Sequence, residues 1–414
     1  MIEISTKDLK IGMFVAHLDR PWLETTFLLQ GLLIENKKQI EQLQQICETV
    51  KIDEEQSSAA ISFEPFKFST GKSKASQPYS PQDVSKNNKK RFEEEMTAAR
   101  DVYENTSVSL NKVLNNFRLK DYISIPEVKT SVEAVISSVT HNPNALLLLT
   151  NLRAKRQDTV THSVNVCIFA TLFGRYLTLG KEQLSQLGLA AVLHDVGEAK
   201  LPDAIIDKHN CGLTPEETEE MQKHTQYGAV MLGKMSEIPE EVVEVALSHH
   251  ERVDGKGYPS QLKGPEISLL SRIIAIVDVY EQVTNNTDLK IQLSCPDALK
   301  SIYSMRNTFF DGELVESFIK CLGIYPVGSV VELSNRAVGI VIAVKQEKHL
   351  YPTVMVLRDK NGEITHPPQI INLDRFRDHD GRPVLLINKV INPSVVGIDL
   401  SEYIVRELGF SLNN

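Results

Sequence analysis

Eleven histidines occur in the chain and seven lie between residues 128 and 322. Five of them, with three aspartates, form a set suited to ligation: Asp158 and His162, the pair His194-Asp195, His224, the pair His249-His250, and Asp278. Asp158 and His162 are four apart, so on a helix both project from one face. His194-Asp195 runs into Val196-Gly197, a helix end where adjacent side chains can turn toward one centre. The intervals from Asp195 to His224, His224 to His249 and His250 to Asp278 each allow one helix out and one back. Taken singly, these residues read blandly: a hydrogen-bonded core pair, a surface histidine, two neighbours that diverge by about 100° on a helix. Asp278 is the sharper signal, because a carboxylate inside Ile273-Ile274-Ala275-Ile276-Val277 needs a cation or several donors if buried. Jointly they point to metal.

Imidazoles and carboxylates without a thiolate favour a mixed N/O site, more typical of iron or manganese than of structural zinc. More than four ligands, one of them able to bridge, imply two divalent ions or more. Two metals ~3.5–4 Å apart can generate a hydroxide nucleophile and neutralise the oxygens of a phosphodiester during in-line displacement. The loop Asp254–Pro259, with two glycines and a proline, is by itself a tight surface turn. Beside a double-histidine site it becomes a pocket wall, with the Tyr258 ring available for base stacking.

The surrounding elements must position that set. The 414 residues predict two or three domains, and a 42% hydrophobic, 24% charged composition is that of a globular protein. Residues 1–55 read as a small α+β module, with strands at Ile11–Val15 and Phe27–Leu29, a turn at Asp19-Arg20-Pro21, and helical spacing from Lys37 to Val50. Residues 56–90, rich in Ser, Lys, Pro and Asn, read as a flexible linker. A connecting helix over 91–127 repeats Val102, Thr106, Leu110, Val113, Leu114 and Phe117, a stripe for packing on the next domain or for a homodimer seam. Residues 128–325 read as successive helices, and 326–414 as a β-rich tail with runs at Ser329–Leu333, Val338–Val344 and Thr353–Leu357. The fold class is therefore mainly α.

A net charge of −9 argues against a nucleic-acid polymer or an anionic membrane as partner. The longest apolar runs, such as Ala145–Leu149, are far too short to span a membrane. The first ten residues lack a secretory signal pattern. Five scattered cysteines suit reduced thiols, so the expected location is cytoplasmic.

The runs His194-Asp195-Val196-Gly197, His249–Pro259 and Arg272–Tyr280 closely resemble the HD-GYP phosphodiesterases, over about residues 155–325. The first unit, with Leu9–Val15 and Asp19–Trp22, resembles the small domain often found ahead of bacterial HD-GYP domains. The resemblance implies an all-helical metallohydrolase domain that cleaves cyclic di-GMP, or hybrid cyclic GMP-AMP, to linear pGpG or GMP. It assigns metal ligation to His162, His194, Asp195, His224, His249, His250 and Asp278. Asp158 stands where some members place a glutamate at a third iron. Turnover is expected to depend on His194 and Asp195. Substrate contacts are expected from Asp254, Gly257, Tyr258, Pro259 and Lys290, and the Gly-Tyr-Pro loop also docks signalling-domain partners in the family. Two positions depart from the pattern. Glu198 replaces the lysine of HDxGK, and Thr287 replaces an arginine, while Lys290 keeps a positive charge. The rival expectation from those departures is a catalytically weak regulator.

Overall fold

The computed structural model describes residues 2–18, 32–34, 40–41, 43–44, 47–53, 81–120, 124–152, 159–206, 208, 213–285, 293–345, 348–375 and 384–391. The chain divides into two compact units, Met1–Ser80 and Pro81–Asn414. Among the described residues, no helix is long and apolar enough to cross a membrane.

The first unit holds an antiparallel sheet of β1 (Ile2–Ser5), β2 (Phe14–Leu18), β3 (Leu32–Leu33) and β4 (Thr49–Asp53), in the order β1-β4-β2-β3. Leu9, Val15, Ile34, Leu43, Cys47, Val50 and Ile52 form its core. The helical spacing read as far as Val50 overreaches. Cys47 N–H still bonds the Leu43 carbonyl at 2.8 Å, but Val50 lies in β4 opposite Ile4 and Leu18. Likewise β2 begins only at Phe14, because Ile11 and Gly12 form a turn. The strand read at Phe27–Leu29 and the turn at 19–21 lie outside the described residues, as do residues 56–80.

The second unit opens with α1 (Pro81–Lys120). Residues 81–90, which composition assigned to the linker, are thus helical. Pro81 supplies a preformed first helical residue, and neither Gly nor Pro follows within the helix. Phe92, Met96, Ala99, Tyr103, Thr106, Leu110 and Val113 are buried along one face. That stripe packs on α2 (Ile125–His141), α3 (Pro143–Leu152) and α4 (Thr159–Tyr176), so it is used within the chain.

The helical body continues with α5 (Lys181–Leu193), α6 (Asp203–Ile206), α7 (Pro215–Gln222), α8 (His224–Leu232), α9 (Glu240–Ser248), α10 (Leu269–Asn285), α11 (Cys295–Ser304) and α12 (Gly312–Leu322). Helix α4 is buried continuously from Ser163 to Gly174, as expected of a helix apolar on all sides at the centre of a body. Local sequence sets the boundaries. Thr214 and Glu217 form a reciprocal capping box at α7, and Asp311 caps α12. The tail folds as an antiparallel sheet of β5 (Val330–Leu333), β6 (Val338–Ala343), β7 (Thr353–Arg358), β8 (Ile364–Asn372) and β9 (Ile387–Val390), ordered β8-β7-β6-β5-β9. The three predicted runs become β5, β6 and β7.

Candidate metal centre

Four helix ends and one helix body deliver the site. His162 projects from the first turn of α4 and Asp278 from the middle of α10. His194 closes α5 in helical conformation, and Asp195 leaves it at φ −99°, ψ 13°. His224 opens α8. Helix α9 ends at Ser248, so His249 is its cap and His250 lies beyond it. This break answers the objection that helical neighbours diverge: the two rings lie only 4.1 Å apart, centroid to centroid.

The donor atoms form two groups, His162 with His194 and Asp278, and Asp195 with His224, His249 and His250. Within the first, His162 Nε2 lies 3.2 Å from Asp278 Oδ1 and 3.3 Å from His194 Nε2. Asp195 spans both. Its Oδ2 is 3.1 Å from His194 Nε2 and 3.6 Å from His162 Nε2, while its Oδ1 is 3.3 Å from His249 Nε2 and 3.5 Å from His224 Nε2. Seven of the eight residues that the sequence offers as ligands come together here. Asp158 and Lys290 lie outside the described residues.

Four imidazoles share one orientation. Nδ1–H is directed to Glu281 Oε2 in His162 (2.7 Å), to the Ala191 carbonyl in His194 (2.8 Å), to the Met221 carbonyl in His224 (2.7 Å) and to the Val245 carbonyl in His249 (3.0 Å). Each bond fixes the tautomer that leaves Nε2 bare toward the centre, the arrangement metal-ligating histidines adopt. Such a donor set, N/O with a carboxylate between two groups, fits divalent ions.

The site attracts positive charge. Burial acts against protonation of His162 and His194, yet Glu281 and Asp278 raise His162 well above the usual imidazole range and Asp195 raises His194, protons that a bound cation would displace. Burial acts against ionisation of the Asp195 carboxyl, yet His194 and the other imidazoles outweigh it and hold it well below the usual range. Asp278 is likewise brought to about 2, with burial opposed by His162 and His194. Burial, then the neighbouring His249, keeps His250 well below the usual imidazole range, so it is neutral and able to ligate. Glu198 is the exception. Burial, reinforced by Asp195, pushes its carboxyl up to about 8, and its hydrogen-bond partner is the Thr159 hydroxyl at 3.4 Å.

The Gly-Tyr-Pro loop forms a wall of the site. The Tyr258 ring stacks on His250 at 4.8 Å and 28°, and burial plus the Asp195 and Asp278 carboxylates raise its hydroxyl, keeping it protonated. Gly257 is obligatory, since a Cβ there would meet Arg252 N at 2.4 Å and Glu251 Cα at 2.5 Å. Buried Glu251 accepts N–H bonds from Ser260 (2.6 Å) and Leu262 (3.1 Å), fastening the loop from beneath. Asp254 is committed within the loop: it pairs bidentately with Arg252 and accepts Lys256 N–H at 3.1 Å.

Sequence reasoning missed the support under His162. Glu281 also accepts from Asn165 Nδ2 at 2.8 Å and Asn285 Nδ2 at 3.1 Å. The available signal was spacing: Glu281 follows Asp278 by three and Asn165 follows His162 by three, so each pair shares a helix face.

A helical body in which paired imidazole-carboxylate groups share one aspartate defines a metal-dependent hydrolase of the HD type. The HD-domain family model matches residues 147–314, and a domain of unknown function matches residues 1–128. The chain is 31% identical over 387 residues to a cyclic di-GMP phosphodiesterase of Pseudomonas aeruginosa, covering 91% of this chain and 90% of that protein. It is 32% identical over 178 residues to a cyclic di-GMP phosphodiesterase of Thermotoga maritima, covering 42% of this chain and 48% of that protein. A 3'3'-cGAMP-specific phosphodiesterase of Vibrio cholerae shares 29% identity over 170 residues, 41% of this chain and 32% of that protein. The chain belongs to the HD-domain phosphodiesterase family.

Proposed function

We propose that this chain is a phosphodiesterase of the HD-GYP type that hydrolyses cyclic di-GMP to pGpG or GMP, using iron or manganese, in bacterial second-messenger signalling. The observation that carries it is Asp195, whose two oxygens face separate groups of bare imidazole nitrogens. His162, His194, Asp195 and Asp278 would hold one ion, and Asp195, His224, His249 and His250 the other. The N/O donor set supports iron or manganese over structural zinc. Divalent ions so held supply Lewis acidity toward a phosphodiester and an activated water for in-line attack. The chain's own residues do the rest. The buried carbonyl and carboxylate acceptors orient the imidazoles. Tyr258 offers a ring face for a base and a hydroxyl that stays a donor. The four described cysteines are buried, and Cys167, Cys295 and Cys321 form no disulfide, which suits a reducing compartment such as the cytoplasm.

The test is hydrolysis of cyclic di-GMP, alongside 3'3'-cGAMP, by protein purified anaerobically and loaded with iron or manganese. Turnover that disappears in His194→Ala and Asp195→Ala is expected; full metal occupancy without turnover of either dinucleotide would reject the proposal. One observation favours a second reading, a catalytically weak regulator: Glu198 places a carboxyl near the site where the resembled pattern has a lysine. A large gain in turnover in the Glu198→Lys, Thr287→Arg variant would support that reading, and no gain would count against it.

A further inference from the structure

The chain of hydrogen bonds beneath His162 does not end in the HD domain. Glu281 Oε1 takes the Asn165 amide, and Asn165 Oδ1 in turn accepts the Tyr103 hydroxyl at 2.9 Å. Tyr103 lies on α1, 62 residues before Asn165, and falls within the stretch matched by the domain of unknown function, before the HD match begins. Its side chain is fully buried, and Asn165 is wholly buried too.

We infer that Tyr103 is a positioning residue for the metal site, setting the orientation of His162 through Asn165 and Glu281. The argument runs through donor and acceptor roles. A phenol that donates to Asn165 fixes its carbonyl toward α1 and therefore its NH2 toward Glu281. Glu281 then presents Oε2 to His162 Nδ1, and that bond leaves Nε2 bare, 3.2 Å from Asp278 Oδ1. Without the hydroxyl, the Asn165 carbonyl is left buried and unsatisfied, and turning the amide to relieve it would set oxygen against the Glu281 carboxylate. The residues that complete the His162 group thus extend onto α1, outside the domain that carries the ligands. This rests on the metal reading of the site.

The full chain tests it. Metal-free wild type, Tyr103→Phe, Glu281→Gln and the double variant are titrated with Mn2+, with binding followed by electron paramagnetic resonance and stoichiometry by elemental analysis. Tyr103→Phe keeps the ring and removes one oxygen. We expect one of two sites to weaken by about tenfold, the lower end of what outer ligand partners contribute, with the other unchanged. In the double variant, Tyr103→Phe should add nothing to the loss from Glu281→Gln, which a merely structural role would not produce. Wild-type affinity at both sites in Tyr103→Phe, or losses that simply multiply in the double variant, would overturn the inference. Failure of the wild type to bind Mn2+ would instead reject the metal reading itself. Should Tyr103→Phe not fold, Asn165→Asp, which sets a carboxylate against Glu281, must weaken the same single site, and undiminished binding there would also overturn it.

Discussion

Gly197 offers a sharp test of how closely the site is built. A Cβ added there would stand 1.9 Å from the His224 carbonyl oxygen, 2.5 Å from Gly228 N and 2.8 Å from the His224 carbonyl carbon. All three are backbone atoms, so no side chain can swing away. Ordinary contact begins at 3.4 Å, so the turn at residues 196–200 and the start of α8 must part by about 1.5 Å. The turn carries Asp195 at its head and α8 carries His224 at its start, and their donor atoms are now 3.5 Å apart. Metal ligands tolerate about 0.2 Å, and a misplacement of about 1 Å can lower turnover roughly 100-fold. Gly197→Ala should therefore lower cyclic di-GMP hydrolysis by at least about 100-fold and weaken metal at the Asp195, His224, His249 and His250 group. Overpacking should also cost about 1–3 kcal/mol of stability. Elemental analysis, a hydrolysis assay and thermal unfolding read the three effects. Gly180→Ala is the control, because its Cβ would find its nearest neighbour at 3.9 Å. Full metal content and wild-type turnover in Gly197→Ala would refute the reasoning.

Three further outcomes are expected. Glu251→Gln keeps the size of the side chain but gives one loop N–H a donor to face, so KM should rise by about tenfold, the scale of one charge-assisted hydrogen bond; elemental analysis should find metal content unchanged, and an unaltered KM would count against the fastening role. In metal-free protein the Glu198 carboxyl sits at about 8 against an ordinary 4.5, so the folded chain holds this proton more tightly than the unfolded one. Its contribution to stability is complete below about pH 4.5 and lost as pH climbs toward 8; Glu198→Gln should flatten that part of the slope in melting curves, and parallel curves would argue otherwise. Removing metal by chelation should lower the melting temperature, since a site occupied at 100 times its Kd contributes about 2.7 kcal/mol; a melting temperature indifferent to chelator and to added Mn2+ would mark the cluster as an ordinary polar core.

Much of the site was legible because metal chemistry restricts residue types. His194-Asp195, His249-His250 and an aspartate within an apolar helix are unusual enough to be read together. The β-branched runs of the tail gave β5, β6 and β7 for a similarly local reason. What was misread was local pattern overridden by a distant partner. Val50 fits a helical period, yet Ile4 and Leu18 claim it for a sheet. Residues 81–90 have a linker's composition, yet the chain is helical from Pro81 without interruption.

The amino-acid order alone settled the kinds of donor present, the absence of a thiolate among them, and the helices that carry them, because these follow from side-chain chemistry and periodicity over a few residues. Only tertiary packing decided that one carboxylate faces two imidazole groups, that a cap rather than a helix turn aligns His249 with His250, and that Tyr103 reaches His162 through Asn165 and Glu281. Those relations join positions up to 119 residues apart, and such distances are set by how helices pack, which no short stretch of sequence encodes.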